Sequence, residues 1–152
     1  MHRILMVCLG NICRSPLAEG ILKHKAKQKN LSIIVDSAGT GDWHIGSPPD
    51  IRSIETAEKY NIDISEQKAR QFSTYDFKNF DKILVMDTAN LSNILKLSSN
   101  QNEGKKVKLI LNYTHPQMQA SVPDPYFGGN NGFEEVFQLL NKACDKIIEE
   151  IS

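Results

Sequence analysis

The sequence predicts an α/β fold: a parallel sheet covered by helices on both faces. Two observations carry that expectation. Short apolar runs alternate along the chain with segments of helical periodicity. The first run is apolar at successive positions rather than at every second one, as in a strand buried on both faces. Right-handed crossovers are expected between such strands. In open sheets of this kind the functional site lies beyond the carboxyl ends of the strands, near a switch point in their order.

Residues 3–8, centred on Ile4-Leu5-Met6-Val7, are the first strand. Ser15 and Pro16 fit an N-cap followed by an N1 proline, where the missing amide costs nothing. That helix is expected to reach about Lys29, with Leu17, Ile21, Leu22 and Ala26 as its apolar stripe. Ile33-Ile34-Val35 is the second strand, and Asp36 to Gly41 the turn after it. Asp42 to Asp50 contains Gly46, Pro48, Pro49 and the only tryptophan, Trp43, and reads as a loop. A helix from about Pro49 to Tyr60 is expected to bury Ile51, Ile54, Ala57 and Glu58. Residues 61–80 are polar and mixed, with one short helix near Tyr75. Lys82 to Met86 is the third strand, and Asp87 or Thr88 caps a helix reaching about Leu97. After the polar loop 98–106, Val107 to Leu111 is the fourth strand. Asn112 to Gly132 is long and irregular, a pattern of disorder or of function. The last helix is marked by Phe133, Val136, Phe137, Leu140, Ala143, Cys144, Ile147, Ile148 and Ile151 at steps of three and four. Cys144 on that stripe reads as core.

Composition narrows the function. A chain of 152 residues, 40% hydrophobic and 24% charged, suits one soluble domain over 1–152. Eighteen basic residues balance eighteen acidic ones, so neither a nucleic acid nor a membrane is expected as a partner. Any anion site must then be local. No apolar run approaches the roughly 20 residues of a membrane span, and the N-terminus lacks a signal-peptide core. Three cysteines without a CxxC pair argue against a disulfide framework or a zinc site and point to a reducing cytoplasm. A monomer is the expected state, with a weak dimer as the alternative.

Cys8-Leu9-Gly10-Asn11-Ile12-Cys13-Arg14-Ser15-Pro16 links the first strand to the first helix. The Cys-to-Arg spacing alone is a weak signal, and its place in a strand-to-helix turn strengthens it. A thiol of ordinary pKa, about 8.5, is mostly protonated at neutral pH; a helix N-terminus and nearby cations lower it. Cys8 would have both, from the loop amides and Arg14. The same amides can form a concave nest for phosphate oxygens. Gly10 and Asn11 are residue types suited to the unusual backbone angles a nest requires. Arg14 offers a planar fork for two phosphate oxygens, and Ser15 can donate a hydrogen bond to a thiolate. The plainer alternative is a structural cysteine buried in a tight turn. A proton donor is also available: Asp124 sits between Pro123 and Pro125 in the long loop, held for general acid and base work. Alone, that triplet is ordinary turn chemistry.

These stretches, with Asp36-Ser37-Ala38-Gly39-Thr40 and Trp43, Ala69-Arg70-Gln71, Phe80-Asp81 leading to Met86-Asp87, and Asp124-Pro125-Tyr126, resemble the low-molecular-weight protein tyrosine phosphatases. The resemblance runs in order from Ile4 to the last helix. It implies a three-layer sandwich with a four-stranded parallel sheet in the order 2-1-3-4. It also implies hydrolysis of phosphotyrosine and aryl phosphate monoesters through a phosphocysteine on Cys8, with Arg14 binding the phosphoryl group and Asp124 as general acid and base. Leu9, Gly10, Asn11, Ile12, Cys13 and Ser15 would line the phosphate. Tyrosine-phosphorylated proteins are the implied partners and phosphate or other oxyanions the implied inhibitors, with no cofactor and no metal. Trp43 and Tyr126 match the aromatic rim, where they could sandwich a phenyl ring; for Trp43 the alternative is a loop anchor packed on the core. Phe127 stands where many relatives carry a second tyrosine, which removes regulation through that residue.

Gln67 replaces a histidine that relatives often bond to the asparagine matched by Asn11. Gln67, with Ser37, is therefore expected to support Asn11. Cys13 lies close enough in sequence to Cys8 for a protective disulfide, or else it packs beneath the loop. Four other activities compete. Arsenate reduction would need relay cysteines, which positions 80–95 lack. Phosphoarginine hydrolysis is associated in the family with threonine where this chain has Ile12. A non-catalytic phosphopeptide-binding module is disfavoured by the presence of Cys8, Arg14 and Asp124 together. A plain cysteine hydrolase would want a histidine partner, and His2, His24, His44 and His115 show no such placement.

Overall fold

The computed structural model describes residues 1–126 and 131–152. Among them are strands β1 (His2–Cys8), β2 (Ile33–Gly39), β3 (Lys82–Val85) and β4 (Val107–Leu109), all parallel, in the order β2-β1-β3-β4. The helices are α1 (Arg14–Gln28), α2 (Ile51–Glu58), α3 (Asp76–Asn79), α4 (Thr88–Leu97), α5 (Gln101–Gly104) and α6 (Asn131–Ile151), with a 3-10 turn at Ile110–Tyr113.

β1 is paired on both sides and apolar on both faces, which is why its residues divide between two cores. Ile4 and Met6 pack with α1 and α6 on one face, together with Leu17, Leu22, Phe137 and Cys144. Leu5 and Val7 pack on the other face with Phe77 of α3, Ile94 of α4 and the strand residues Ile83 and Val85. The α/β sandwich and its strand order are those expected.

Several local expectations are corrected. Helix α1 begins at Arg14, with Cys13 at the N-cap position and no side-chain cap. Ser15 therefore lies inside the first turn instead of capping it, and its hydroxyl faces Cys8. β2 runs on through Asp36-Ser37-Ala38-Gly39, which pair with Leu5 to Cys8; tertiary pairing overrides the poor strand propensity of Asp, Ser and Gly. Helix α2 buries Ser53, Thr56 and Ala57, while Ile51 is 63% exposed and Glu58 is exposed. Its inward face is small and polar because it abuts the loop after β1: Asp50 N donates to Ile12 O at 2.8 Å and Ser53 Oγ to Cys13 O at 3.3 Å. The fourth strand ends at Leu109, where the chain turns into the 3-10 segment.

Candidate active site

The loop after β1 is built by committing its carbonyls outward. Thr40 N donates to Cys8 O, Gly41 N to Leu9 O and Asp50 N to Ile12 O, at 2.8–2.9 Å. In a planar trans peptide the next N–H points opposite to the carbonyl. The amides of Leu9, Gly10 and Cys13 are thereby turned away from the supporting segments, and no acceptor among the described residues takes them. Gly39 makes this close stacking possible, since a Cβ there would lie 2.8 Å from Leu9 O. Asn11 alone in the loop is left-handed, with φ 58°. Gly10, expected to share that role, does not; a Cβ there would lie 3.0 Å from His44 Cδ2, tight against that ring.

Cys8 ends β1 and is only 2% exposed. Ser15 Oγ lies 3.0 Å from its Sγ. Arg14 is buried in the first turn of α1, and three groups fix its guanidinium. Nη1 donates to Asp87 Oδ2 at 2.7 Å and to Val122 O at 3.0 Å, while Nη2 lies 3.6 Å from Asp124 Oδ2. Asp124 in turn accepts from the Tyr126 amide at 3.0 Å through Oδ1, the usual Asx turn. The loop carrying Asp124 is tied to the residue after β3, with Val122 N donating to Met86 O at 2.7 Å.

Cys8, Ile12, Arg14 and Asp124 face one cavity of about 160 Å³, with Leu9, Trp43, His44 and Tyr126 around it. Trp43 is 68% exposed, so it stands at the mouth instead of anchoring its loop in the core. Its ring lies against Gly41, where an added Cβ would clash with it. Arg52 stacks over the Tyr126 ring with Cζ 5.4 Å from the centroid, and over Phe133 at 4.6 Å. Burial, followed by the charge of Asp50, pushes the Cys13 thiol up to about 12.

The family of low molecular weight phosphotyrosine protein phosphatases matches residues 3–152. The chain belongs to that family. Its members include a phosphatase of this name from Schizosaccharomyces pombe, 43% identical over 99% of this chain and 97% of its own length. The solved structure of YfkJ from Bacillus subtilis is 41% identical, with a TM-score of 0.92 over 99% of this chain and 94% of that one. An arginine phosphatase from Drosophila is 32% identical, with a TM-score of 0.89 over 97% of this chain and 96% of that one.

The geometry of this phosphatase corrects the reading of Gln67. Its Nε2 donates to Pro16 O at 3.1 Å, and it does not reach Asn11. Asn11 is held by other groups: Nδ2 donates to Ser15 Oγ at 2.7 Å and to Ser37 Oγ at 3.0 Å, and Oδ1 accepts from Arg70 N at 3.0 Å. Ser37 supports Asn11 as expected. The backbone of Arg70 takes the place given to Gln67, because the β-bridge between Gly39 and Gln71 brings that segment alongside the loop. Sequence reasoning missed two carboxylates. Asp87 was legible as a helix cap but not as the partner of Arg14, and Glu19 looked like one more charged residue on α1. Its spacing to Lys23, one helical turn on, was the available signal. His44 was also set aside, and its ring forms part of the cavity wall. Phe127 lies outside the described residues.

Proposed function

We propose that this phosphatase hydrolyses phosphotyrosine and aryl phosphate monoesters through a phosphocysteine on Cys8. The observation that carries the reading is the meeting of Cys8, Arg14 and Asp124 at one cavity, with Arg14 Nη2 3.6 Å from Asp124. The Cys8 thiolate attacks phosphorus and the bond from phosphorus to the aryl oxygen breaks. Asp124 gives its proton to the departing phenolate. Water then attacks the phosphocysteine and Asp124 takes its proton. The P–S bond breaks, releasing phosphate and the thiolate. Arg14 and the loop amides turned away from the supporting segments receive the phosphoryl oxygens in both steps. Ser15 donates to the sulfur as it leaves.

A nucleophile at the floor of a cavity walled by Trp43 and Tyr126 suits the reach of a phenyl ester. Ile12 keeps that cavity apolar, which favours an aryl group over the guanidinium of phosphoarginine. In this reading a tyrosine-phosphorylated protein is the substrate, phosphate and other oxyanions compete for the loop, and the enzyme works as a cytoplasmic monomer. Cys13, held as a thiol by burial, is the reserve partner for an oxidised Cys8.

The test compares an aryl phosphate, a phosphotyrosine peptide and phosphoarginine with wild type, Cys8→Ser and Asp124→Asn, in metal-free buffer. Cys8→Ser is expected to abolish turnover. Asp124→Asn is expected to lose most on poor leaving groups, by roughly 100-fold or more. Turnover surviving Cys8→Ser, or equal losses across leaving groups, would refute the mechanism.

A further inference from the structure

Glu19 lies on the second turn of α1, 4% exposed, and takes no part in the phosphoryl transfer. Its Oε1 accepts from Ser37 Oγ at 2.6 Å and its Oε2 from Lys23 Nζ at 2.6 Å. The Lys23 side chain is 54% exposed and stands in a groove of about 470 Å³ between α1 and residues 61–67. A buried carboxylate needs both hydrogen bonds and a counter-charge; Ser37 and Lys23 supply them.

The hydrogen bonds continue inward without a break, from Ser37 to Asn11, Asn11 to Ser15 and Ser15 to Cys8. Their direction can be worked out. A carboxylate only accepts, so Ser37 must give its single proton to Glu19 and present lone pairs to Asn11. The Arg70 amide holds Asn11 Oδ1, so Nδ2 is the end that faces both hydroxyls. Ser15 accepts from Asn11, which leaves its own proton for the Cys8 sulfur. With Cys8 as the thiolate, which only accepts, a single proton arrangement satisfies every link.

We propose that Lys23 and Glu19 are positioning residues for catalysis: Lys23 balances the charge of Glu19, and Glu19 fixes the polarity of the Ser37–Asn11–Ser15 row that ends with Ser15 donating a hydrogen bond to the Cys8 sulfur. Without Lys23, Glu19 takes up a proton and can donate as well as accept, so Ser37 is no longer bound to point at it. The row then gains alternative arrangements, and the Cys8 thiolate loses part of its support from Ser15. The proposal rests on the reading of Cys8 as nucleophile. The ionisable groups facing Glu19 across the groove are Asp63 and Glu66, with His24 and Lys27 on its own helix. Those around Cys8 are Cys13, Arg14, His44, Asp124 and Tyr126. All of these are unchanged in the variants compared.

The experiment measures the pH dependence of Cys8 alkylation by iodoacetate, with mass spectrometry to assign the site, in wild type, Lys23→Met, Lys23→Arg, Ser37→Ala and the Lys23→Met/Ser37→Ala double variant. Thermal melting of each variant is recorded alongside. In Lys23→Met the alkylation limb is expected to move to higher pH, with the rate near pH 6 falling about threefold to tenfold. Lys23→Arg should retain the wild-type limb. In the Ser37→Ala background, Lys23→Met should have no further effect, since the link is already cut. An unmoved limb in Lys23→Met, whatever its melting temperature, overturns the proposal; so does a shift of equal size in the Ser37→Ala background. The readout is alkylation, so it stands apart from turnover: activity surviving Cys8→Ser would remove the nucleophile reading while leaving the relay measurable.

Discussion

Asp87 uses one carboxylate for two purposes. Oδ1 accepts from Asn90 N at 2.7 Å as the N-cap of α4, and Asn90 Oδ1 accepts from Asp87 N in return. Oδ2 meets Arg14, whose side chain is almost wholly buried. Asp87→Asn separates the two, because asparagine caps a helix about as well as aspartate. Leaving a buried charge without its partner costs up to about 3–5 kcal/mol. Val122 O and Asp124 remain beside Arg14 and reduce that loss. The variant is expected to melt at lower temperature and to lose about tenfold or more in kcat/KM, measured on an aryl phosphate; a lower melting temperature with unchanged kcat/KM would confine the Asp87–Arg14 pair to a part in stability. The cap was legible because its signals are three residues apart. The pairing with Arg14 was not, because it spans 73 positions. Gln67 shows the same limit: only the fold shows that it reaches Pro16 O before Asn11.

Elements were legible where packing is uniform along them. Helix α6 buries every residue of its expected stripe except Ile151, which is half-buried. Helix α2 failed that test because it is a buttress for a loop of backbone, and backbone calls for small donors such as Ser53 in place of isoleucines. The contact of α6 with α1 also carries a pH signature. Cys144 is fully buried, with Sγ 3.9 Å from Ala18 O, and burial pushes its thiol up from 9.0 to about 12. Between those values the unfolded chain loses the proton while the folded chain keeps it, so stability falls as pH rises. Cys13 contributes in the same sense, again through burial. The melting temperature is therefore expected to fall from about pH 9 upward, and Cys144→Ala should flatten that fall. An unchanged slope in Cys144→Ala would place the alkaline sensitivity elsewhere.

Across the molecule, the site gathers the segments that leave the strands at their carboxyl ends: the Cys8 loop after β1, Thr40 to Trp43 after β2, Met86-Asp87 after β3 and Val122 to Tyr126 beyond β4. That convergence was readable from the alternation of strands and helices alone, because parallel strands put all their carboxyl ends at one edge. The side-chain contacts made at that edge were not. Among the described residues no helix is long and apolar enough to cross a membrane.

β1 is hydrogen-bonded to a strand on each side, and Cys8 is its last residue. Backbone amides in such a place are reached by exchanging water only when the whole molecule opens. The amides of Met6 and Val7 should therefore exchange with the free energy of global unfolding and with its full dependence on denaturant. Those of α2 should exchange through smaller openings. Exchange at Val7 that ignores denaturant would contradict this. If it holds, the Cys8 sulfur is anchored to a segment that opens only with the whole molecule, whereas Trp43, Asp124 and Tyr126 are carried on segments outside the sheet.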